Sequence, residues 1–263
     1  MSDQSPVQLY LQEHQPPGVP PLSLTGERTL PDVPAENYWF RRHLAVYEWI
    51  ASRVDGKRVV DLACGEGYGS AVLARHALGV VGVDANPEAF EHARLRYTDP
   101  NLSFERSLVE SYGSPACADA VSFLQTVEHV SDPHAVLAHI RELLSPDGVA
   151  YISTPNVLTL APVGAEKSDN PWHIKEYRAH EFRELCESVF DLVDLYGLYH
   201  ARKLRLHGLA LRLGWDRVHG ALGITGPFYR WFTPAITSSD FVLRNDWPLY
   251  SALDFLAVCR ARG

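Results

Sequence analysis

The stretch from Arg58 to Ser70 constrains the fold of this 263-residue chain more than any other. It opens with Arg58-Val59-Val60-Asp61-Leu62, a short apolar run interrupted by an acid, which is the pattern of a buried strand in a parallel sheet. Gly65, Gly67 and Gly69 follow at alternate positions, and Ala71 to Leu78 then reads as a helix. Glycine there lets the backbone turn sharply and lets a ligand come against amides and carbonyls with no Cβ in the way. Strand, glycine loop and helix N-terminus in that order make a nucleotide-type site at the carboxyl edge of an α/β sheet. The next run, Gly79 to Val83, ends in Asp84, nineteen residues past Gly65, where an acid can meet ribose hydroxyls.

The details separate this loop from a dinucleotide site. That fingerprint places glycines first, third and sixth, whereas here they stand first, third and fifth, with Ser70 sixth. Asp61 ahead of the loop is also unfavourable beside a pyrophosphate. The string Val-Val-Asp-Leu-Ala-Cys-Gly-Glu-Gly-Tyr-Gly, with Val81-Gly82-Val83-Asp84 after it, resembles the S-adenosylmethionine (SAM) site of class I methyltransferases. An ordinary βα turn is the alternative. The resemblance implies an α/β fold with a Rossmann-like, doubly wound, seven-stranded sheet whose last strand is antiparallel. It implies SAM as cofactor, with Gly65 and Gly67 at the methionine part and Asp84 at the ribose. Asp61, Ala63, Ala85 and Gln125 complete the expected cofactor contacts. Ser107 and Leu108 would flank the adenine, although the family's common Gly-Asp is missing there.

Composition narrows the class. A net charge of −8 argues against a broad nucleic-acid-binding surface. Cys64, Cys117, Cys186 and Cys259 are scattered without a CxxC pair, as buried thiols of a reducing cytoplasm would be. No apolar run approaches the roughly 18 residues that span a bilayer, and the N-terminus lacks a signal-peptide pattern. A cytoplasmic protein with one main domain is expected.

Residues 1–34, carrying seven prolines and little periodicity, are expected to be a disordered tail, with a flap over substrate as the alternative. The methyltransferase domain is expected over 35–261. Tyr38, Trp39 and Phe40 beside Arg41 and Arg42 lead into a helix through Ile50. The segment reads as a helix packed on the sheet. It also reads as a lid in which an aromatic face covers the sulfonium and Arg41 or Arg42 pairs with the SAM carboxylate. Asn86-Pro87-Glu88 and Asp132-Pro133 open two further helices, and strand–helix alternation with short turns continues through Ser153. Phe190 to Tyr199 and Leu253 to Cys259 are the last expected strands. Between them, residues 201–248 are an insertion rich in Arg, Leu and aromatics. It reads as a helical cap with a solvated basic face, as an acceptor-binding cap, or as an amphipathic patch in peripheral contact with a membrane.

Methyl transfer from a sulfonium is an in-line displacement, and an alcohol acceptor also has to lose a proton to a base or under a metal. Two segments offer such groups: Gln125-Thr126-Val127-Glu128-His129 after the fourth strand, and Asn170-Pro171-Trp172-His173-Ile174-Lys175-Glu176-Tyr177. The pair is similar to small-RNA 2′-O-methyltransferases and quinone-phenol O-methyltransferases that carry a Glu-x-x-Glu-His string. That similarity implies Glu128, His129 and His173 as catalytic residues or as ligands of Mg2+ or another divalent cation. Gln125 replaces the first Glu and is a poorer ligand for a hard cation. Glu128 capping backbone amides and His173 pinning a loop are the structural alternatives.

Over its whole length the chain resembles a bacterial group of methyltransferases associated with polysaccharide and glycolipid assembly. The motifs are Gly-Glu-Gly-Tyr-Gly-Ser, Phe-Gln-Thr-Val-Glu-His-Val, Ser-Thr-Pro-Asn, Asn-Pro-Trp-His-Ile-Lys-Glu-Tyr and Ser-Ser-Asp-Phe. Its lead-in, Pro31 to Ile50, is similar to actinobacterial enzymes linked to methylglucose polysaccharides. The resemblance implies O-methylation of a sugar hydroxyl on an oligosaccharide or glycolipid precursor. A phenolic or quinone-like acceptor and a non-catalytic SAM-binding partner in a glycan assembly complex are the alternatives.

Overall fold

The computed structural model describes residues 9, 10, 12, 15–23, 28–162 and 164–261. Eight strands form one sheet: β1 Arg58–Leu62, β2 Gly79–Asp84, β3 Leu102–Arg106, β4 Ala118–Leu124, β5 Leu144–Pro155, β6 Leu192–His200, β7 Phe241–Arg244 and β8 Asp254–Arg260. Their order is β3-β2-β1-β4-β5-β8-β6-β7. β1 to β5 pair in parallel, while β8 runs antiparallel to both β5 and β6, and β7 antiparallel to β6.

Alternation along the strands builds two cores. Val59 and Val60 point to opposite faces, as successive strand residues must. Val60 joins Val121, Phe123, Ile152, Phe182 and Phe255 on one face, and Val59 joins Val72, Leu73, Tyr151, Leu198 and Leu256 on the other. Helices α1 Asn37–Ala51, α2 Tyr68–Ala74 and α3 Pro87–Arg96 follow the first half of the chain, and α4 Pro133–Leu143, α5 Val157–Leu160 and α6 Ala179–Glu187 the second. The two Pro-initiated helices start where sequence places them. Asn86 Oδ1 accepts from the amides of Glu88 and Ala89, and Asp132 accepts from Ala135.

Two expectations need correction. The sheet has eight strands, not seven, because Phe241–Arg244, inside the stretch read as an insertion, pairs with Gly197–His200. Without it β6 would expose a row of unpaired backbone groups at the sheet edge. The N-terminal segment is also not a free tail where it is described. Leu22, Leu30 and Val33 form a small buried cluster, and Leu9–Tyr10 pairs with Leu22–Ser23. Gln12 donates to Glu66, the Pro20 carbonyl meets His92 Nδ1 at 2.7 Å, and Asp32 pairs with Arg96 at 3.1 Å. Proline bars regular structure here but not packing. Glu66, 1% exposed between two loop glycines, offsets its desolvation by accepting from Gln12 and from Tyr97 OH.

Ahead of β7 the stretch 201–248 holds three helices, α7 Arg202–Arg212, α8 Trp215–Ala221 and α9 Thr225–Phe232. It is tied to α1, whose Asn37 Nδ2 donates to the carbonyls of Thr233 and Ile236, while Tyr38 OH and His200 Nε2 lie 2.7 Å apart. No helix among the described residues is long and apolar enough to cross a membrane. All four cysteines are free thiols.

Candidate active site

The glycine loop does what its sequence requires. Ala63 (φ 55°), Gly65 (φ 56°) and Gly67 (φ 94°) all take left-handed conformations. For Ala63 this carries a strain on the order of 1–3 kcal/mol, of the kind concentrated at functional sites. A Cβ on Gly67 would lie 2.9 Å from both Ala93 and the Phe104 ring. Asp84 closes the loop from β2: one carboxylate oxygen accepts from Gly65 N–H and the other from Asn86 N–H, each at 2.8 Å. Both oxygens keep lone pairs for a ligand's hydroxyls.

Asp61 has another task. It is fully buried under the loop and accepts from Ser122 Oγ at 2.6 Å, Ser70 Oγ at 2.7 Å and Tyr47 OH at 3.2 Å. Burial pushes its pKa up to about 6, although the three hydroxyls oppose the shift. It ties β1, β4, α1 and α2 together and does not line a cavity.

Two cavities meet at the carboxyl edge of β1, β2 and β4. The first, about 330 Å3, is lined by Ala63, Gly65, Asp84, Ala85, Asn86 and Gln125 among others. The second, about 450 Å3, is lined by Trp39, Arg42, Glu128, Asn170 and His173 among others. Arg28, Thr29, His43, Gln125 and His129 line both and form the boundary between them. Gln125, like Ala63, is a non-glycine at positive φ (51°), held by its N–H to the Ser153 carbonyl at 3.1 Å and by its side-chain amide to Ser153 Oγ at 3.0 Å.

The second cavity carries the titratable groups. A 3-10 turn, Val127–His129, follows β4, and the Glu128 carbonyl accepts from the Ile174 and Lys175 amides, so the two chemistry-bearing segments are clamped together. His129 and His173 stand edge to face with ring centroids 5.0 Å apart. His129 Nδ1 lies 3.0 Å from the Trp172 carbonyl, which assigns it the proton and makes Nε2 the ring's basic nitrogen. His173 Nδ1 lies 2.6 Å from Glu176 Oε1, and its Nε2 accepts from the Asn170 amide at 3.0 Å. Burial raises the Glu176 carboxyl, but hydrogen bonds from Ser168 and His173 outweigh it and hold the group below its ordinary range. Glu128 is buried, accepts from Thr154 Oγ1 at 3.1 Å, and has its pKa pushed up to about 8 by that burial.

Ligand-capable atoms of Glu128, His129 and His173 lie within 4.8 Å of one another. As a divalent-cation centre the set fits poorly. Both ring nitrogens of His173 are engaged, by Asn170 and Glu176. Only Glu128 and His129 remain as protein ligands, fewer than the three of a typical zinc site; with one carboxylate and one imidazole the set is also a poor match for a hard cation that prefers oxygen ligands.

Other expected site residues are engaged differently. Arg42 lines the second cavity but is buried in an ion pair with Asp254 and also donates to the Leu253 carbonyl at 2.8 Å, so its charge is already balanced within the protein. Trp39 stacks its ring 4.9 Å from the Arg42 guanidinium and faces the second cavity. Ser107 and Leu108 line neither cavity, and Leu108 is 60% exposed. No residue of 201–248 lines either cavity, so the insertion does not cap the site as the acceptor-binding reading expects. Sequence reasoning also missed Arg28, Thr29 and His43. Arg28 Nη1 is buried without a hydrogen-bond partner. Burial pushes His43 down to about 4, which leaves it a neutral imidazole. His43 sits in the aromatic and basic stretch already singled out, whereas Arg28 stands among prolines with no pattern to mark it.

The comparisons agree with this geometry. A methyltransferase-domain family profile matches residues 36–207. A probable S-adenosylmethionine-dependent methyltransferase of Mycolicibacterium smegmatis is 38% identical over 70% of this chain and 71% of its own. A ubiquinone biosynthesis O-methyltransferase of Xanthomonas campestris is 35% identical over 45% of this chain and 54% of its own. Among solved structures, a SAM-dependent methyltransferase of Thermotoga maritima, described as a possible histamine N-methyltransferase, covers 87% of this chain and 94% of its own at a TM-score of 0.59 and 13% identity, a likeness of fold alone. The glycine loop and the Asp84 clasp accord with the family match: the chain belongs to the methyltransferase-domain family and is a SAM-dependent methyltransferase.

Proposed function

We propose that the chain is an O-methyltransferase acting on a sugar hydroxyl of an oligosaccharide or glycolipid precursor, with SAM in the first cavity and the acceptor in the second. The observation that carries this reading is the placement of His129 on the boundary of the two cavities, its Nε2 basic and its ring fixed by the Trp172 carbonyl. The acceptor oxygen attacks the methyl carbon as the C–S bond breaks, the hydroxyl proton passes to His129 Nε2, and S-adenosylhomocysteine leaves. A positioned base of this kind contributes about 10²–10⁴-fold in rate. The Glu176–His173–Asn170 chain orients the second ring beside it. Arg28, whose Nη1 is buried and unpartnered, takes the role expected of Arg42 and holds the cofactor's carboxylate.

A sugar acceptor is favoured by the lining of the second cavity. Ser168, Asp169 and Asn170 offer hydrogen bonds, and Trp39, 39% exposed, offers one aromatic face. The test is methyl transfer from labelled SAM to a panel of saccharides and phenols with a chelator present. Labelled saccharide with the chelator is the expected product. Labelled phenol alone would move the acceptor to the quinone-like class, and loss of all transfer on chelation would restore the metal.

A further inference from the structure

The helices of the insertion are amphipathic in an unusual sense. Their inner faces are aromatic: His207 stacks on Phe228 and Phe232 with centroids 5.7 and 4.6 Å away, and Leu204 is buried. The outward side of α7 is not a plain polar face. At 100° per residue, Leu206, Leu209 and Leu213 form one stripe, with Arg205 and Arg212 along its border. The three leucines are 69%, 54% and 80% exposed, and Leu222 and Trp231 on the next helices are 65% and 72% exposed. A stripe of exposed apolar groups on one helix face marks an interaction surface.

Charge decides the partner. Residues 201–236 carry six basic side chains against one acid, Asp216, in a chain whose net charge is −8. Arg202, Arg205, Arg212, Arg217 and Arg230 are all exposed. A second copy docked by a two-fold axis would bring this arginine border against itself. A nucleic acid would leave the leucines and Trp231 without partners. Exposed leucines bordered by arginines match a bilayer surface, where apolar groups enter the acyl boundary and guanidinium groups reach lipid phosphates.

We propose that the outward face of residues 202–232 docks the protein on an anionic lipid surface. α7 starts directly after His200 at the carboxyl end of β6, the sheet edge that also carries both cavities. Docking through this face therefore brings the acceptor cavity's edge of the sheet to the bilayer rather than the opposite one.

The test is flotation of the full chain with vesicles of phosphatidylcholine alone or mixed with phosphatidylglycerol. Binding is expected only to the mixed vesicles and should fall with added salt. Each arginine charge removed should lower partitioning about fivefold, so Arg205→Gln with Arg212→Gln should lower it roughly 25-fold. Leu213→Ser with Trp231→Ser should lower it further, while SAM affinity, read by calorimetry, stays at the wild-type value in both variants. Failure to float with the mixed vesicles, or equal binding to neutral ones, overturns the proposal. So does a dimer in sedimentation that the same substitutions dissolve, which assigns the face to a second copy.

Discussion

Replacing Asp84 by asparagine separates the loop hydrogen bonds of this side chain from the ribose contact we propose for it. Its carboxylate oxygens accept from the Gly65 and Asn86 amides at 2.8 Å each, one oxygen per amide. Asparagine has one acceptor and one donor end, so in either orientation its NH2 faces a backbone N–H. A donor left without its acceptor costs about 1–3 kcal/mol, which sets the loss of stability expected in the empty protein. The second loss appears only with cofactor. Hydrogen bonds from two ribose hydroxyls to a carboxylate are worth about 1.5–3 kcal/mol each, so SAM should bind roughly 10²–10⁴-fold more weakly. Calorimetric titration with SAM and S-adenosylhomocysteine, beside urea unfolding of the unliganded variant, measures both terms. Unchanged affinity in a folded variant would refute the ribose assignment. A loss of affinity no larger than the loss of stability would show that Asp84 only shapes the loop.

Three further outcomes follow from named contacts. Asp61 has its pKa raised to about 6, so the native state holds a proton that the unfolded chain releases near 4. Its contribution is intact below about pH 4 and is lost as pH rises through 6, roughly 3 kcal/mol in all; unfolding free energies of wild type and Asp61→Asn across that window should diverge in slope, and parallel curves would show that the group does not titrate there. Gly69→Ala would place a Cβ 2.1 Å from the Tyr47 ring, whose hydroxyl donates to Asp61, and should cost about 1–3 kcal/mol in thermal unfolding; wild-type stability would show that the ring yields freely. Arg28→Ala should weaken S-adenosylhomocysteine roughly tenfold or more yet leave methylthioadenosine, which lacks the carboxylate, unaffected; an equal loss for both ligands would make Arg28 a packing residue.

What the chain discloses in sequence is what local chemistry controls. The positive φ angles of Gly65 and Gly67, the Asn86 and Asp132 caps and the acid at the end of β2 are each specified within a few residues, and all are legible. Arg42 and Asp61, expected at the cofactor, are engaged by protein groups instead. Arg42 pairs with Asp254, 212 residues away, and nothing near it signals that its charge is engaged. Asp61 accepts from Ser70 and Tyr47, nine and fourteen residues away, and from Ser122, 61 away, but a serine or tyrosine carries no mark of the acid it will meet. β7 is hidden in a similar way, because four residues pair only where β6 leaves an open edge. Arg28 reaches the site through a segment whose prolines suppress the periodicity on which reading depends, and its anchors, Glu66 and Arg96, come from other elements. The insertion was legible as helical and basic. That it lines neither cavity was not, since it leaves the same carboxyl edge of the sheet that carries them.

The central claim is that His129 accepts the acceptor's proton at the junction of the cavities. The most direct measurement is single-turnover methyl transfer by His129→Ala with SAM prebound, using the saccharide that wild type methylates fastest. Because no expected cofactor contact is removed, SAM affinity should remain at the wild-type value while the transfer rate falls about 10²–10⁴-fold. Transfer at the wild-type rate with SAM bound normally would contradict the account and return the chemistry to another group of the second cavity.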